Sequence, residues 1–214
     1  MHALVFANGA PPEPDTTLCL ARSAHLVLCA DGGARHARAL GIDPHIVIGD
    51  MDSLGSELRG ALCGAGARFQ EHPVRKDETD LELALLYAAE QGATRISVVG
   101  VRGGRIDHEL ANLLLLAHPR LSGLDVCLIS GNQEIRLLRQ ETWFHGAAGD
   151  LLSLLPIGGD VLGIVTDGLE YPLRDETLHF GPARGISNVF VEPEVCVRLR
   201  SGLLLAVHTR GQGL

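Results

Sequence analysis

Residues 26–54 read LVLCADGGARHARALGIDPHIVIGDMDSL, and this stretch decides the fold expected of the chain. Apolar runs at His25–Ala30 and Ile46–Gly49 flank a helical pattern at Ala34–Leu40. Two short apolar strands joined by a helix form the crossover unit of a parallel sheet, whose strands are buried on both faces. The stretch therefore predicts an α/β domain.

The same alternation of strands and helices runs from the start of the chain to about residue 130. Further strands are predicted at His2–Asn8, Ile96–Gly100 and Val126–Ser130, and further helices at Asp15–Arg22, Ser56–Cys63, Asp80–Gln91 and Asp107–Ala117. This pattern predicts an N-terminal, mostly parallel α/β domain that covers residues 1–131.

After Gly131 the helical periodicity disappears, and short β-type segments alternate with turn residues. Seven strands are predicted, at Glu134–Arg139, Leu151–Pro156, Val161–Thr166, Thr177–Phe180, Val189–Val191, Val195–Arg200 and Leu203–His208. Many short strands in so few residues indicate a C-terminal antiparallel β-sandwich, residues 132–214.

Composition excludes several classes of protein. The formal charge of −8 and pI near 5.6 argue against a nucleic-acid binder, which needs a basic face. The five cysteines are odd in number and form no CxxC, which is typical of reduced cysteines in the cytoplasm. The start, MHALVFANG, does not resemble a secretory signal, and no apolar run approaches the roughly 20 residues of a membrane span.

Two close pairs of aspartates are the most distinctive polar feature. Asp50 and Asp52 follow a predicted strand, and Asp77 and Asp80 precede a predicted helix. If all four converged at about 6 Å, each pair would repel by ~3 kcal/mol at an effective dielectric of about 20. The six pairs would together exceed the roughly 5–15 kcal/mol by which a domain is stable. Either the pairs lie apart, or a hard divalent cation belongs among them.

The second pair of aspartates adjoins Lys76, the only lysine among 18 basic residues. Acidic residues in a first turn interact favourably with the helix dipole, so capping alone also explains Asp77 and Asp80. Capping does not explain why they stand beside a lysine. A phosphate or metal site and a plain helix cap both remain open here.

Two glycine-containing loops follow predicted strands. In Asp31-Gly32-Gly33, free amides at a helix start suit a phosphate, and a tight turn capped by Asp31 is the alternative. In GVRGGRIDHEL, Arg102 and Arg105 are able to clamp phosphates, although the loop lacks the third glycine of GxGxxG.

Taken in order, the segments ADGGARHARALGIDPHIVIGDMDSL, KDETDLELAL, GVRGGRIDHELANLLLL, GLEYPL and GISN resemble the thiamine pyrophosphokinase family. The resemblance implies an α/β nucleotide-binding domain followed by a β-sandwich for thiamine binding and dimerisation. It implies transfer of diphosphate from the co-substrate ATP to the hydroxyl of thiamine, with Mg²⁺, giving thiamine diphosphate and AMP. It also implies a homodimer whose active sites are completed across the interface.

The resemblance assigns roles to individual residues. Magnesium and phosphates are assigned to Asp50, Asp52 and Asp80, and Asp77 completes the catalytic set. ATP binding is assigned to Asp31, Gly32, Gly33, Lys76, Thr79, Arg105 and Asp107, together with Arg102 from the loop argument. Thiamine binding is assigned to Ser187, Asn188 and Tyr171, where Tyr171 stands at a position that is tryptophan in some members.

Two other functions are compatible with the residues. One is a diphosphokinase for another small alcohol, such as a pterin, and the second domain is the discriminator. The other is a nucleotide- or thiamine-binding regulator without turnover, which a missing metal carboxylate would favour. Asp50, Asp52 and Asp80 are all present.

Overall fold

The computed structural model of this protein describes residues 1–211. These residues form two compact units, the first Met1–Gly131 and the second beginning at Asn132. No helix among residues 1–211 combines the length and apolar character needed to cross a bilayer.

The first unit is a parallel sheet with helices on its faces. Its strands are β1 (His2–Phe6), β2 (Leu26–Ala30), β3 (Ile46–Gly49), β4 (Arg68–Glu71), β5 (Arg95–Val99) and β6 (Asp125–Ser130). Its helices are α1 (Pro14–Ser23), α2 (Gly33–Ala39), α3 (Ser56–Gly64), α4 (Asp80–Glu90) and α5 (Ile106–Leu114), followed by 3₁₀ turns at Leu115–Ala117 and Pro119–Leu121.

The strand order within this unit is β6-β5-β1-β2-β3-β4, and its neighbouring strands pair in parallel. The chain winds outward from β1 through β2, β3 and β4, and then returns to the other side of β1 as β5. Ligands of open α/β sheets bind at the carboxyl edge near such a reversal. The topology therefore directs attention to the loops after β1, β2, β3 and β5.

Burial follows from this topology. Residues of β1, β2 and β3 are buried on both faces, as the apolar runs predict. Helices α1, α2 and α3 share one apolar cluster with these strands, whereas α4 packs on the same strands without belonging to that cluster. The sheet is thus covered on both sides.

The second unit consists of two antiparallel sheets. Its strands are β7 (Gln133–Leu138), β8 (Thr142–His145), β9 (Leu151–Pro156), β10 (Val161–Asp167), β11 (Arg174–Leu178), β12 (Asn188–Val189), β13 (Glu194–Arg198) and β14 (Leu204–Thr209). One sheet has the order β12-β9-β14-β7 and the other β11-β10-β13-β8. Residues of both sheets form one buried cluster, so the unit is a sandwich and the predicted fold class is confirmed.

Two strands were not predicted, and the bounds of several predicted elements differ from those observed. Strand β4 was not predicted because it lies at the sheet edge and its RFQE sequence lacks an apolar run. Strand β8 (TWFH) was missed because only Phe144 of its four residues is buried, so it has no apolar run. Strand β11 ends at Leu178 rather than Phe180, because Asp160 binds the Phe180 N–H at 2.8 Å and the His179 ring at 2.7 Å.

A buried histidine and a buried aspartate contact each other within the sandwich. His208 Nε2 lies 3.0 Å from Asp150 Oδ2, and both residues are almost fully buried. The His208 ring stacks on Phe190 with centroids 4.8 Å apart. Asp150 also accepts hydrogen bonds from the N–H groups of Ala147 and Gly211. This contact joins β14 to the loop before β9.

Candidate functional site

Three aspartates meet at the carboxyl edge of the parallel sheet. Asp31, Asp50 and Asp52 each offer a carboxylate oxygen, and these atoms lie within 4.8 Å of one another. Asp31 follows β2, and the other two follow β3. Because β2 and β3 are adjacent and parallel, their carboxyl ends bring the three side chains together.

The backbone at this acidic group is unusual. Asp31 has φ 39° and Met51 has φ 63°, although neither is glycine. Such left-handed conformations of non-glycine residues concentrate at functional sites. The Asp31 N–H donates to the Ile48 carbonyl oxygen at 2.8 Å, and the Asp52 N–H donates to Asp50 Oδ1 at 3.1 Å. The loop therefore has a defined geometry.

Asp80 approaches the acidic group across Gly49. A Cβ added at Gly49 would lie 2.8 Å from Asp31 Cβ and 3.1 Å from Asp80 Cγ, so no side chain fits between them. The Oδ1 atoms of Asp31 and Asp80 are buried, and neither accepts a hydrogen bond from the described residues. Lys76 Nζ lies 2.9 Å from Asp80 Oδ1 as an ion pair, but outside hydrogen-bonding angles.

These carboxylates fit a hard divalent cation. Mg²⁺ takes oxygen ligands, and buried carboxylate oxygens without donors are expensive unless a cation satisfies them. The sequence assigned Asp31 to ATP rather than to the metal. The structure brings Asp31 next to Asp50 and Asp52, and Asp80 stands just outside that group.

A cavity of about 490 Å³ adjoins this edge, within the size range of small-molecule sites. It lies at the reversal of strand order between β1 and β5. Its lining includes Lys76, Thr79, Asp80 and Arg105 from the predicted set, with Asn8, Glu78, Gly103, Gly104, His108, Glu109 and Asn112 among the others. Thr79 also caps α4, because its Oγ1 accepts from the Glu82 N–H at 3.1 Å.

The two glycines after Asp31 serve close packing in this structure. A Cβ at Gly33 would lie 2.2 Å from the Phe6 carbonyl oxygen, and one at Gly32 would lie 2.4 Å from Asn8 Oδ1. Neither glycine lines the cavity. Their observed role is to let α2 begin directly against the end of β1.

Arg105 is paired with Asp107. Its guanidinium donates to both carboxylate oxygens, and both side chains are exposed. This hydrogen bonding lowers the pKa of Asp107 below its ordinary value, despite the small opposing effect of burial. Arg102 lies outside the main cavity and lines a neighbouring one of about 330 Å³ with residues 10–14.

Asp77 is exposed and lines neither the cavity nor the acidic group. In contrast, Arg35 and Asn8 were not assigned a site role from the sequence. Arg35 donates to the Ser53 carbonyl oxygen at 2.6 Å and to Asn8 Oδ1 at 3.1 Å, which links the Asp50–Ser53 loop to the end of β1. No local signal predicts this contact, because the three residues are far apart in sequence.

In the second unit, the three residues predicted to bind thiamine lie together. Asn188 Oδ1 accepts from the Tyr171 N–H at 3.0 Å, and its Nδ2 donates to the Tyr171 carbonyl oxygen at 2.8 Å. The Tyr171 side chain is 65% exposed. Ser187 has φ 58°, and its N–H donates to Ser153 Oγ at 3.0 Å. Asn188 therefore holds the loop that presents Tyr171.

Two family models match the chain. The model described as the thiamin pyrophosphokinase catalytic domain covers residues 18–128, and the one described as the thiamin pyrophosphokinase vitamin B1 binding domain covers residues 133–204. This chain belongs to the thiamin pyrophosphokinase family. The resemblance inferred from the sequence is thereby confirmed.

Individual members of the family agree. Thiamine pyrophosphokinase 1 of Arabidopsis thaliana is 30% identical over 100% of this chain and 88% of its own length. The crystal structure of the Bacillus subtilis thiamine pyrophosphokinase matches with a TM-score of 0.88 at 26% identity, covering 99% of this chain and 100% of that one. The yeast enzyme, at 19% identity and a TM-score of 0.81, supports the fold. It covers 97% of this chain and 86% of its own.

Proposed function

We propose that this chain is a Mg²⁺-dependent thiamine diphosphokinase that releases AMP from ATP. As a member of the thiamin pyrophosphokinase family, the chain makes thiamine diphosphate from thiamine and ATP. The hydroxyl oxygen of thiamine attacks the β-phosphorus and loses its proton to a nearby base, the bond from that phosphorus to the α,β-bridging oxygen breaks, and AMP leaves. The observation that carries the metal dependence is the acidic group beside the cavity.

The residues proposed to hold the metal are Asp31, Asp50 and Asp52, and Asp80 lies just outside this group. A Mg²⁺ bound there would neutralise negative charge on the phosphate oxygens. Transfers of this type depend on positioning and electrostatics rather than covalent catalysis, which suits a cavity without an activated nucleophile.

The chain's own cations are proposed to bind the triphosphate. Lys76 and Arg105 line the cavity, and Thr79 presents its hydroxyl there at the start of α4. We retain Gly32, Gly33, Arg102 and Asp107 as weaker proposals for ATP binding, because they do not line the cavity. Of the two aspartates near Lys76, only Asp80 lines it, so Asp80 is better placed than Asp77 to meet a substrate hydroxyl.

The second unit is proposed to bind thiamine through Ser187, Asn188 and Tyr171. Asn188 makes three backbone contacts that fix the Tyr171 loop and the start of β12. The match of this unit to a vitamin B1 binding domain supports thiamine over a pterin.

Replacing Asn188 with alanine removes the contacts that hold the Tyr171 loop. We expect the thiamine KM to rise about tenfold or more and the ATP KM to change less than twofold, since each of the three lost hydrogen bonds contributes roughly 0.5–1.5 kcal/mol. Steady-state kinetics with each substrate varied in turn measure this. Asn132→Ala, on another turn of the same unit, is the control. A larger rise in the ATP KM would place thiamine elsewhere.

A homodimer with composite active sites is proposed, and an apolar stripe on α5 supports it. Ile106, Leu110 and Leu114 recur every four residues and are each more than half exposed, at 70%, 53% and 57%. Soluble chains rarely leave such stripes uncovered.

The five free cysteines and the acidic composition support a cytoplasmic location.

Leu110→Asp places a charge in the centre of this stripe. We expect the variant to sediment as a monomer at micromolar concentration, where the wild type sediments as a dimer, and to lose at least tenfold in activity. Glu90→Lys, an exposed charge change on α4, is the control. Sedimentation velocity distinguishes the cases, and a dimeric, fully active Leu110→Asp protein would contradict the composite site.

The proposed function is tested by product identity. Purified protein with ATP, Mg²⁺ and thiamine should release AMP and thiamine diphosphate in equal amounts, and EDTA should stop the reaction until Mg²⁺ is added back. ADP as the product, or equal turnover with a hydroxymethylpterin, would contradict the proposal.

A further inference from the structure

Lys76 forms a charged contact with a carboxylate that adjoins the proposed metal site. Its Nζ lies 2.9 Å from Asp80 Oδ1, and the two side chains are only 12% and 25% exposed. The same nitrogen donates to the Pro73 carbonyl oxygen at 3.2 Å. Lys76 is therefore held from two sides on the wall of the cavity, and it is the only lysine in the chain.

The contact satisfies the charge of Asp80 but not its hydrogen-bonding capacity. Asp80 Oδ1 is buried and accepts no hydrogen bond from the described residues, and the same is true of Asp31 Oδ1 across Gly49. Three carboxylates lie within 4.8 Å of one another and Asp80 stands just outside them, whereas the ion pair brings a single positive charge. The site is thus partly neutralised by the protein and leaves oxygens for a second cation.

We propose that Lys76 is an internal counter-ion that competes with the divalent cation at Asp80 and transfers to the nucleotide phosphates when ATP binds. The inference rests on the proposed function, because it assumes a metal ion and ATP in this cavity. A cation near Asp80 repels a metal ion, whereas the same cation attracts a triphosphate. Lys76 therefore weakens binding of free metal and strengthens binding of the nucleotide.

The consequence is a coupling between the two ligands. With Lys76 on Asp80, the empty site resists a free cation. When the phosphates draw Lys76 away, Asp80 becomes available to the metal that accompanies the nucleotide. A Lys76 that stayed fixed on Asp80 would shift the two affinities without coupling them, whereas transfer to the phosphates predicts that Lys76→Met tightens Mn²⁺ binding only while the nucleotide is absent.

Lys76→Met separates these effects. We measure Mn²⁺ binding to the full-length protein without nucleotide, and α,β-methylene-ATP binding without metal, by isothermal titration calorimetry. We expect the Mn²⁺ Kd to fall at least tenfold and the analogue Kd to rise at least tenfold, since one charge a few ångströms away at an effective dielectric of about 20 changes a Kd by a decade or more. Arg75→Met removes the same charge from the exposed neighbour and should change each Kd less than twofold. Lys76→Arg keeps the charge and should stay near the wild type.

The outcomes are distinguishable. Unchanged or weaker Mn²⁺ binding by Lys76→Met, in a protein that unfolds at the wild-type temperature, overturns the inference alone. Equal tightening by Arg75→Met also overturns it, because the effect would then be one of net charge. A wild type that binds no Mn²⁺ and releases no AMP overturns the proposed function together with this inference.

Discussion

Asp31→Asn is expected to lower kcat/KM by about 10²–10³-fold and to make the metal-free protein harder to unfold. Asparagine keeps the size of the side chain and tolerates the left-handed backbone at φ 39°, so the fold should persist. The variant loses one of three carboxylates whose oxygens lie within 4.8 Å of one another. Removing a charge from a site that stabilises developing charge typically costs this much activity.

The same substitution that lowers activity is expected to stabilise the metal-free protein. Like charges at this spacing repel, so the variant should gain at least ~1 kcal/mol in unfolding free energy when metal is absent. Urea denaturation in EDTA and steady-state kinetics in Mg²⁺ measure the two effects on the same preparation. Asp43→Asn, whose exposed carboxylate pairs with Arg38, is the matched control and should change neither. Wild-type turnover by Asp31→Asn, or a loss of stability, would contradict the role assigned to Asp31.

His208→Ala is expected to destabilise the second unit by at least ~3 kcal/mol. The substitution removes the ring that stacks on Phe190 and leaves Asp150 buried without its histidine partner. Removing a hydrogen-bond partner from a buried carboxylate costs roughly 1–3 kcal/mol, and deleting a buried stacked ring adds a cavity cost of a few kcal/mol. His145→Ala, at an exposed histidine that pairs with Glu194, should cost no more than ~0.5 kcal/mol.

The same contact predicts a pH dependence. Burial raises the pKa of Asp150, but hydrogen bonds from the Ala147 and Gly211 N–H groups and from His208 outweigh it, so the pKa lies below the ordinary 3.8. Because the folded pKa is depressed, this stabilisation is present above pH 3.8 and is lost as the pH falls through the folded value. Denaturation of wild type and Asp150→Asn at pH 6 and pH 3 measures this. A constant difference between them would contradict it.

The sequence predicted the elements whose burial pattern is simple. Strands β1, β2 and β3 are buried on both faces, so their apolar runs were visible, and β3 matches its predicted bounds. Strand β4 is exposed on its outer side, and its sequence gives no comparable signal. A strand is recognisable from sequence only when its burial requires a run of apolar residues. An edge strand such as β4 is too exposed to need such a run.

The candidate site was predicted in part for a similar reason. Asp50, Asp52 and Asp80 were recognisable because they flank a strand or begin a helix. Asp31 was assigned to ATP because its Asp-Gly-Gly loop suits a phosphate and matches the family's element there, and the sequence does not show where its carboxylate lies relative to Asp50 and Asp52. The contacts of Asn188 with Tyr171 span 17 residues, and no local spacing predicts them.

The central claim is that Asp31, Asp50 and Asp52 hold the divalent cation on which diphosphate transfer depends. Crystals grown with Mn²⁺, thiamine and α,β-methylene-ATP test it directly through the anomalous difference map. We predict a Mn²⁺ peak within coordination distance of at least two of these three carboxylates, with phosphate oxygens completing the shell. A fully occupied nucleotide with no Mn²⁺ peak at these carboxylates, or with its only peak at Asp77 or Asp107, would contradict the account.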